Sequence, residues 1–119
     1  MSPQVVTDRV TEAEVGRAVL WILTSMPGGV ATVAELILEL PDALELSEAD
    51  RAPSETRPGE EMWEQQVRNL VSRRFTAGNI ICDGYAVYLQ AERKLMITPA
   101  GRLKLHRLGY DLGQLTILP

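Results

Sequence analysis

The stretch whose reading decides the fold is residues 63–107, WEQQVRNLVSRRFTAGNIICDGYAVYLQAERKLMITPAGRLKLHR. Its hydrophobic period changes along its length. Trp63, Val67, Leu70, Val71 and Phe75 recur at helical spacing, so a helix turning about 100° per residue collects them on one face. The opposite side carries Gln65, Asn69, Ser72, Arg73 and Thr76, with Arg68 on the flank. Arg74 falls on the apolar face, so its stem is expected to pack while its head finds a carboxylate or the helix end. Ala77-Gly78-Asn79 closes this helix, which is predicted over about residues 59–76. Two strands follow: Ile80 to Gln90, rich in β-formers, and Leu95 to Thr98. The polar turn Ala91-Glu92-Arg93-Lys94 between them predicts a hairpin. Thr98 then caps a last helix and Pro99 takes its first position, where the missing N–H costs nothing. Leu103, Leu105 and Leu108 are its packing residues and Gly109 ends it.

Upstream of this stretch, two capping boxes mark two more helices. Thr11 with Glu14 opens a helix over about residues 12–26, with Val15, Ala18, Val19, Ile22 and Leu23 on one face and Met26-Pro27-Gly28-Gly29 as its stop. Thr32 with Glu35 opens a short second helix along Val33, Leu36, Ile37 and Leu40, stopped by Pro41. Two helices joined by a short glycine-containing turn are how a helix-turn-helix begins. Residues 41–60 break the pattern with Pro41, Pro53, Pro58 and the acidic side chains Asp42, Glu45, Glu48, Asp50 and Glu55. They read as an acidic, largely solvated insertion, pinned by Leu44 and Leu46 and with room for one helical turn.

The organisation that follows is an N-terminal arm at residues 1–10, a domain at 11–109 with its insertion at 41–60, and a C-terminal tail at 110–119. Leu112, Leu115, Ile117 and Leu118 make that tail apolar, so it is expected to dock on the domain or on another copy. The fold class is mainly α with a small β-hairpin, an α+β arrangement.

Composition narrows the function. The chain of 119 residues carries a net charge of −4, which argues against a non-specific coat on nucleic acid. The charge is uneven: residues 1–58 hold four basic and ten acidic side chains, a balance of −6, whereas residues 59–119 hold eight and six, a balance of +2. A basic face on the C-terminal half therefore remains open. One cysteine, Cys82, excludes an internal disulfide, and its place in a strand pattern predicts a small buried hydrophobe. Cys82 with the only histidine, His106, is too few soft ligands for a zinc site, and His106 is read as a surface residue. No cofactor, metal or catalytic motif is expected, and the chain is not read as an enzyme. No apolar run reaches the length of a membrane span and no basic-then-apolar leader is visible, so a cytoplasmic protein is expected.

The helix followed by GNIICDGYAVYLQAERKLMITPAGRLKL resembles the recognition helix, wing and final helix of winged-helix DNA-binding proteins. The strand, Thr98-Pro99-Ala100-Gly101-Arg102 and short helix are similar to regulators of the MarR and PadR type. Trp63, Val67, Leu70 and Arg74, with Gly78-Asn79-Ile80 after them, look like the N-terminal domain of Mrr-type restriction proteins. The insertion at 41–60 is longer than that pattern, and no nuclease domain follows. The resemblance implies a winged helix-turn-helix that binds double-stranded DNA. On that reading Gln65, Arg68, Asn69, Ser72 and Arg73 face the major groove, while Arg93, Lys94 and Arg102 meet phosphates. It also implies a small transcriptional regulator, a homodimer through the first helix and the C-terminal tail. A second reading stays open: a protein-interaction module, or an accessory subunit of a restriction or defence system. A positive band broken by Glu61, Glu64 and Glu92 would favour that second reading.

Overall fold

The computed structural model describes residues 9–110. Five α-helices and a three-stranded antiparallel sheet make up the described part: α1 (Glu12–Ser25), β1 (Val30–Thr32), α2 (Val33–Glu39), α3 (Glu48–Arg51), α4 (Met62–Ser72), β2 (Ala86–Leu89), β3 (Lys94–Ile97) and α5 (Pro99–Arg107). The α+β class expected from sequence is the class observed. No described helix is long and apolar enough to cross a membrane.

Both expected capping boxes form, with Glu14 and Glu35 amides donating to the hydroxyls of Thr11 and Thr32 at 3.1 and 3.0 Å. α1 is the central element. Its Val15, Val19, Leu20 and Leu23 are fully buried and meet Leu36, Leu40, Val67, Leu70, Leu95 and Leu105 in one core. α1 packs on both α4 and α5.

The sheet contains a strand that the sequence reading missed. β1 is only three residues long, and its last residue, Thr32, is also the cap of α2, so the capping signal conceals the strand. β3 lies in the middle, paired with β1 through Ala31↔Leu95 and with β2 through Val87↔Met96. Ala31, Leu95, Ile97 and Ala86 point into the core, whereas Val87 and Met96 face outward. The hairpin turn closes with Arg93 at φ 55°, the one non-glycine residue among those described in the left-handed region. The Arg93 carbonyl accepts a hydrogen bond from the Val33 amide at 3.1 Å, so the turn is tied to the start of α2.

Several expected boundaries are corrected. The helix predicted over 59–76 starts at Met62, because residues around Pro53 and Glu61 pair as an antiparallel bridge and hold the chain extended up to that point. It stops at Ser72, because Arg73 leaves helical geometry at φ −106°, ψ 25°. Phe75, expected on the buried face, is therefore turned outward and is 83% exposed. The strand predicted over Ile80 to Gln90 begins only at Ala86. Residues 80–84 form a turn in which the Asn79 side chain captures the Ile81 and Cys82 amides, which removes those donors from strand pairing. Cys82 is thus exposed rather than buried. In α5 only Leu105 of the three leucines is buried, while Leu103 and Leu108 are exposed.

The insertion is ordered, not simply solvated. Ser47 caps α3, and the Asp50 carboxylate, 1% exposed, accepts from the amides of Val10 at 3.0 Å and Ser47 at 2.9 Å. Leu44 and Leu46 pack on the core as expected. At the other end Tyr110 stacks on Trp21, with ring centroids 5.2 Å apart. The rest of the tail, 111–119, and residues 1–8 of the arm lie outside the described residues.

Gly101 marks where α5 crosses the hairpin most closely. A Cβ there would land on the Tyr85 carbonyl oxygen and lie 2.8 Å from Ile97 Cγ1. Backbone cannot yield as a side chain can, so Gly101→Ala is expected to cost about 3 kcal/mol, the upper end for overpacking. Urea denaturation measures it; a loss within the range of ordinary surface substitutions would mean that α5 does not sit as described.

Candidate nucleic-acid interface

α4 and the hairpin flank a groove of about 630 Å³. Gln65, Arg68, Asn69 and Ser72 enter it from α4, and Arg93 enters from the hairpin turn. Five of the eight residues singled out in the sequence thus line one surface. Arg57 and Arg74, which the sequence reading did not select, also line it, together with Val33, Val71, Tyr88 and Gln90. No aspartate or glutamate is among these lining residues.

Three singled-out residues are not brought to the groove. Arg73 turns toward α1, where its guanidinium lies 3.7 Å from Glu12 Oε1. It lines a different depression, with Asn79 and Ile80. Lys94 sits in the sheet, in register with Thr32 and Leu89. Arg102 lies on α5 with its guanidinium over Gly29, and its Nη1 is buried with no hydrogen-bond partner.

The four groove arginines differ in how free they are. Arg68 donates to Glu60 Oε2 at 2.6 Å, and that hydrogen bond raises its pKa further above the ordinary guanidinium value. Its charge is therefore largely neutralised. Arg74 donates through Nη1 to the Val71 carbonyl at 2.7 Å, an acceptor at the end of α4 that also takes the Arg74 amide at 3.3 Å. Arg57 and Arg93 make no side-chain hydrogen bond or ion pair among the described residues and remain free to meet an anion. On α4 the Asn69 amide donates to Gln66 Oε1 at 3.3 Å, while Gln65 has no such partner. Glu64 is half-buried, and burial pushes its pKa up, helped by the charges of Glu60 and Glu61. Glu61 is engaged elsewhere, accepting from the Trp63 indole at 2.8 Å and from Arg51 at 3.3 Å.

One buried side chain links the end of α4 to the segment that leads into the hairpin. Asn79, 3% exposed, donates through Nδ2 to the Leu70 carbonyl at 3.0 Å and to Glu12 Oε2 at 3.1 Å. Its Oδ1 accepts from the Ile81 amide at 2.8 Å. The end of α4, the start of α1 and the approach to β2 are joined at this side chain. In the sequence Asn79 is visible only as part of a helix-closing triplet. Nothing in the triplet indicates the distant Glu12 as a partner.

Among the described residues no three His, Cys, Asp or Glu side chains gather as a metal ion would require. Comparison with protein-family models, curated proteins and solved structures finds no match to this chain. The groove offers free cations, amide side chains at helical spacing and no lining carboxylate.

Asn79→Ala leaves the Leu70 carbonyl and the Ile81 amide without their partners, and buried unsatisfied groups cost about 1–3 kcal/mol. The variant is expected to lose about 2 kcal/mol in urea denaturation. An unchanged midpoint would mean that this link is held by other contacts.

Proposed function

We propose that this chain is a winged helix-turn-helix protein that binds double-stranded DNA, a small dimeric transcriptional regulator without catalytic activity. The observation that carries the reading is the groove: four guanidinium groups and no lining carboxylate in a chain of net charge −4. Charge of one sign concentrated in a concave surface is what a phosphate backbone selects. The element order also supports it. α4, the β2–β3 hairpin and α5 follow one another in the order of the recognition helix, wing and final helix that the sequence resembles.

On this reading α4 is the recognition helix and the turn at Arg93 is the wing. Gln65 and Asn69 stand four residues apart on one helix face, and each can pair bidentately with adenine. Arg57 and Arg93 contact phosphates on either side. Two copies would set two such helices about 34 Å apart along one face of DNA. Their contact surface is α1 near Trp21 and Tyr110. The protein-interaction reading draws support from the acidic half and from Glu92 beside Arg93 in the turn. Against it, Glu61 and Glu64 do not line the groove.

Fluorescence anisotropy of the full chain with DNA duplexes across a salt series tests the proposal. Arg57→Ala with Arg93→Ala is expected to weaken binding by on the order of tenfold and to lower the salt slope by about 2, one per lost phosphate contact. Arg73→Ala, outside the groove, is expected to change affinity less than about twofold. Equal losses from Arg73→Ala and Arg93→Ala, or no binding at low salt, would contradict it.

A further inference from the structure

A lone exposed aromatic side chain is ordinary on a protein surface. Phe75 differs in what holds it. Where the chain leaves α4, the Arg74 guanidinium is fixed by the Val71 carbonyl. Its central carbon lies 4.9 Å from the Phe75 ring centroid and 5.4 Å from that of Tyr88. The cation is thus in contact with two rings, which orders all three side chains. Arg74 and Tyr88 line the groove, and Phe75, 83% exposed, is joined to it through Arg74.

Cations that take phosphates, alternating with aromatic rings that take bases, form the surface a single strand binds. A continuous duplex has no use for such a ring, because its base faces are occupied by the neighbouring pairs. An unpaired base has a free face. Stacking on an aromatic ring is worth about 1–3 kcal/mol per base. Charge complementarity favours nucleic acid over a peptide here, because the groove beside the ring is cationic and offers only small apolar surface.

We propose that Phe75 is a stacking platform for an unpaired nucleobase, so that the protein prefers DNA in which a duplex meets a single-stranded segment. The duplex, or its backbone, occupies the arginine groove, and the first exposed base lies on the Phe75 ring. This rests on the nucleic-acid reading of the same groove and specifies the ligand within it.

The test compares a blunt duplex with the same duplex carrying a short single-stranded overhang, using the full-length chain. A fluorescent adenine analogue that dims when stacked is placed at the junction. The wild type is expected to bind the overhang about tenfold more tightly than the blunt duplex and to quench the analogue. F75A is expected to abolish both the preference and the quenching while leaving blunt-duplex affinity unchanged. F75Y and F75W are expected to keep both. Because the ring is exposed, F75A removes no core contact and its folding is not at stake. If the wild type binds both DNAs equally, or F75A weakens both alike, stacking is overturned while nucleic-acid binding stands. If the wild type binds neither DNA, the proposed function falls as well.

Discussion

The geometry of this molecule depends on what happens at the carboxyl end of α4, where Asn79 satisfies backbone groups that would otherwise be orphaned. A helix end leaves carbonyls without partners, and burying them uncompensated is costly. Asn79 meets that need at Leu70 and uses its remaining capacity on Ile81 and on Glu12. Three segments distant in sequence are thereby fixed to one side chain. Because the hairpin begins only a few residues later, this polar junction determines how far β2 and the turn at Arg93 stand from α4. Gly101 then allows α5 to close against Tyr85 from behind. The groove is therefore a consequence of packing and hydrogen bonding on its far side.

Charge is distributed to the same end. Part of the acidity of this chain is engaged internally: Asp50 accepts from the Val10 and Ser47 amides, Glu61 accepts from Trp63 and pairs with Arg51, and Glu60 pairs with Arg68. A partly exposed ion pair contributes little to stability, but it determines which charges remain available. Of the four arginines that line the groove, Arg57 and Arg93 are then the two without a side-chain partner among the described residues. A net charge of −4 and a cationic surface are compatible for this reason. Arg57 is instructive, because it comes from the acidic insertion that sequence reading set aside as solvated.

The legible features in the sequence were those with local causes. The capping boxes at Thr11 and Thr32, the core stripe of Trp63, Val67 and Leu70, and the hairpin all follow from spacing and short-range hydrogen bonds. The missed features are those in which a distant group outweighs a local preference. β1 exists only because β3 supplies its partner. Ile80 and Ile81 are β-formers in a turn where the Asn79 side chain takes the Ile81 and Cys82 amides. Phe75 fits the helical period, but the helix ends before reaching it. The groove was legible in part: Gln65, Arg68, Asn69 and Ser72 follow from helical phase, whereas Arg57 lies in the insertion and Arg74 lies beyond the end of α4, where that phase no longer applies. Arg73 fitted the phase and is drawn off by Glu12.

If the α4–hairpin groove is the surface that meets nucleic acid, amide chemical shifts of the full chain titrated with a DNA duplex will report it. The largest shifts are expected on residues 65–72 and 90–93, with α1 around Trp21 little changed. Shifts centred on α1 and Tyr110, or none at all at saturating DNA, would contradict it.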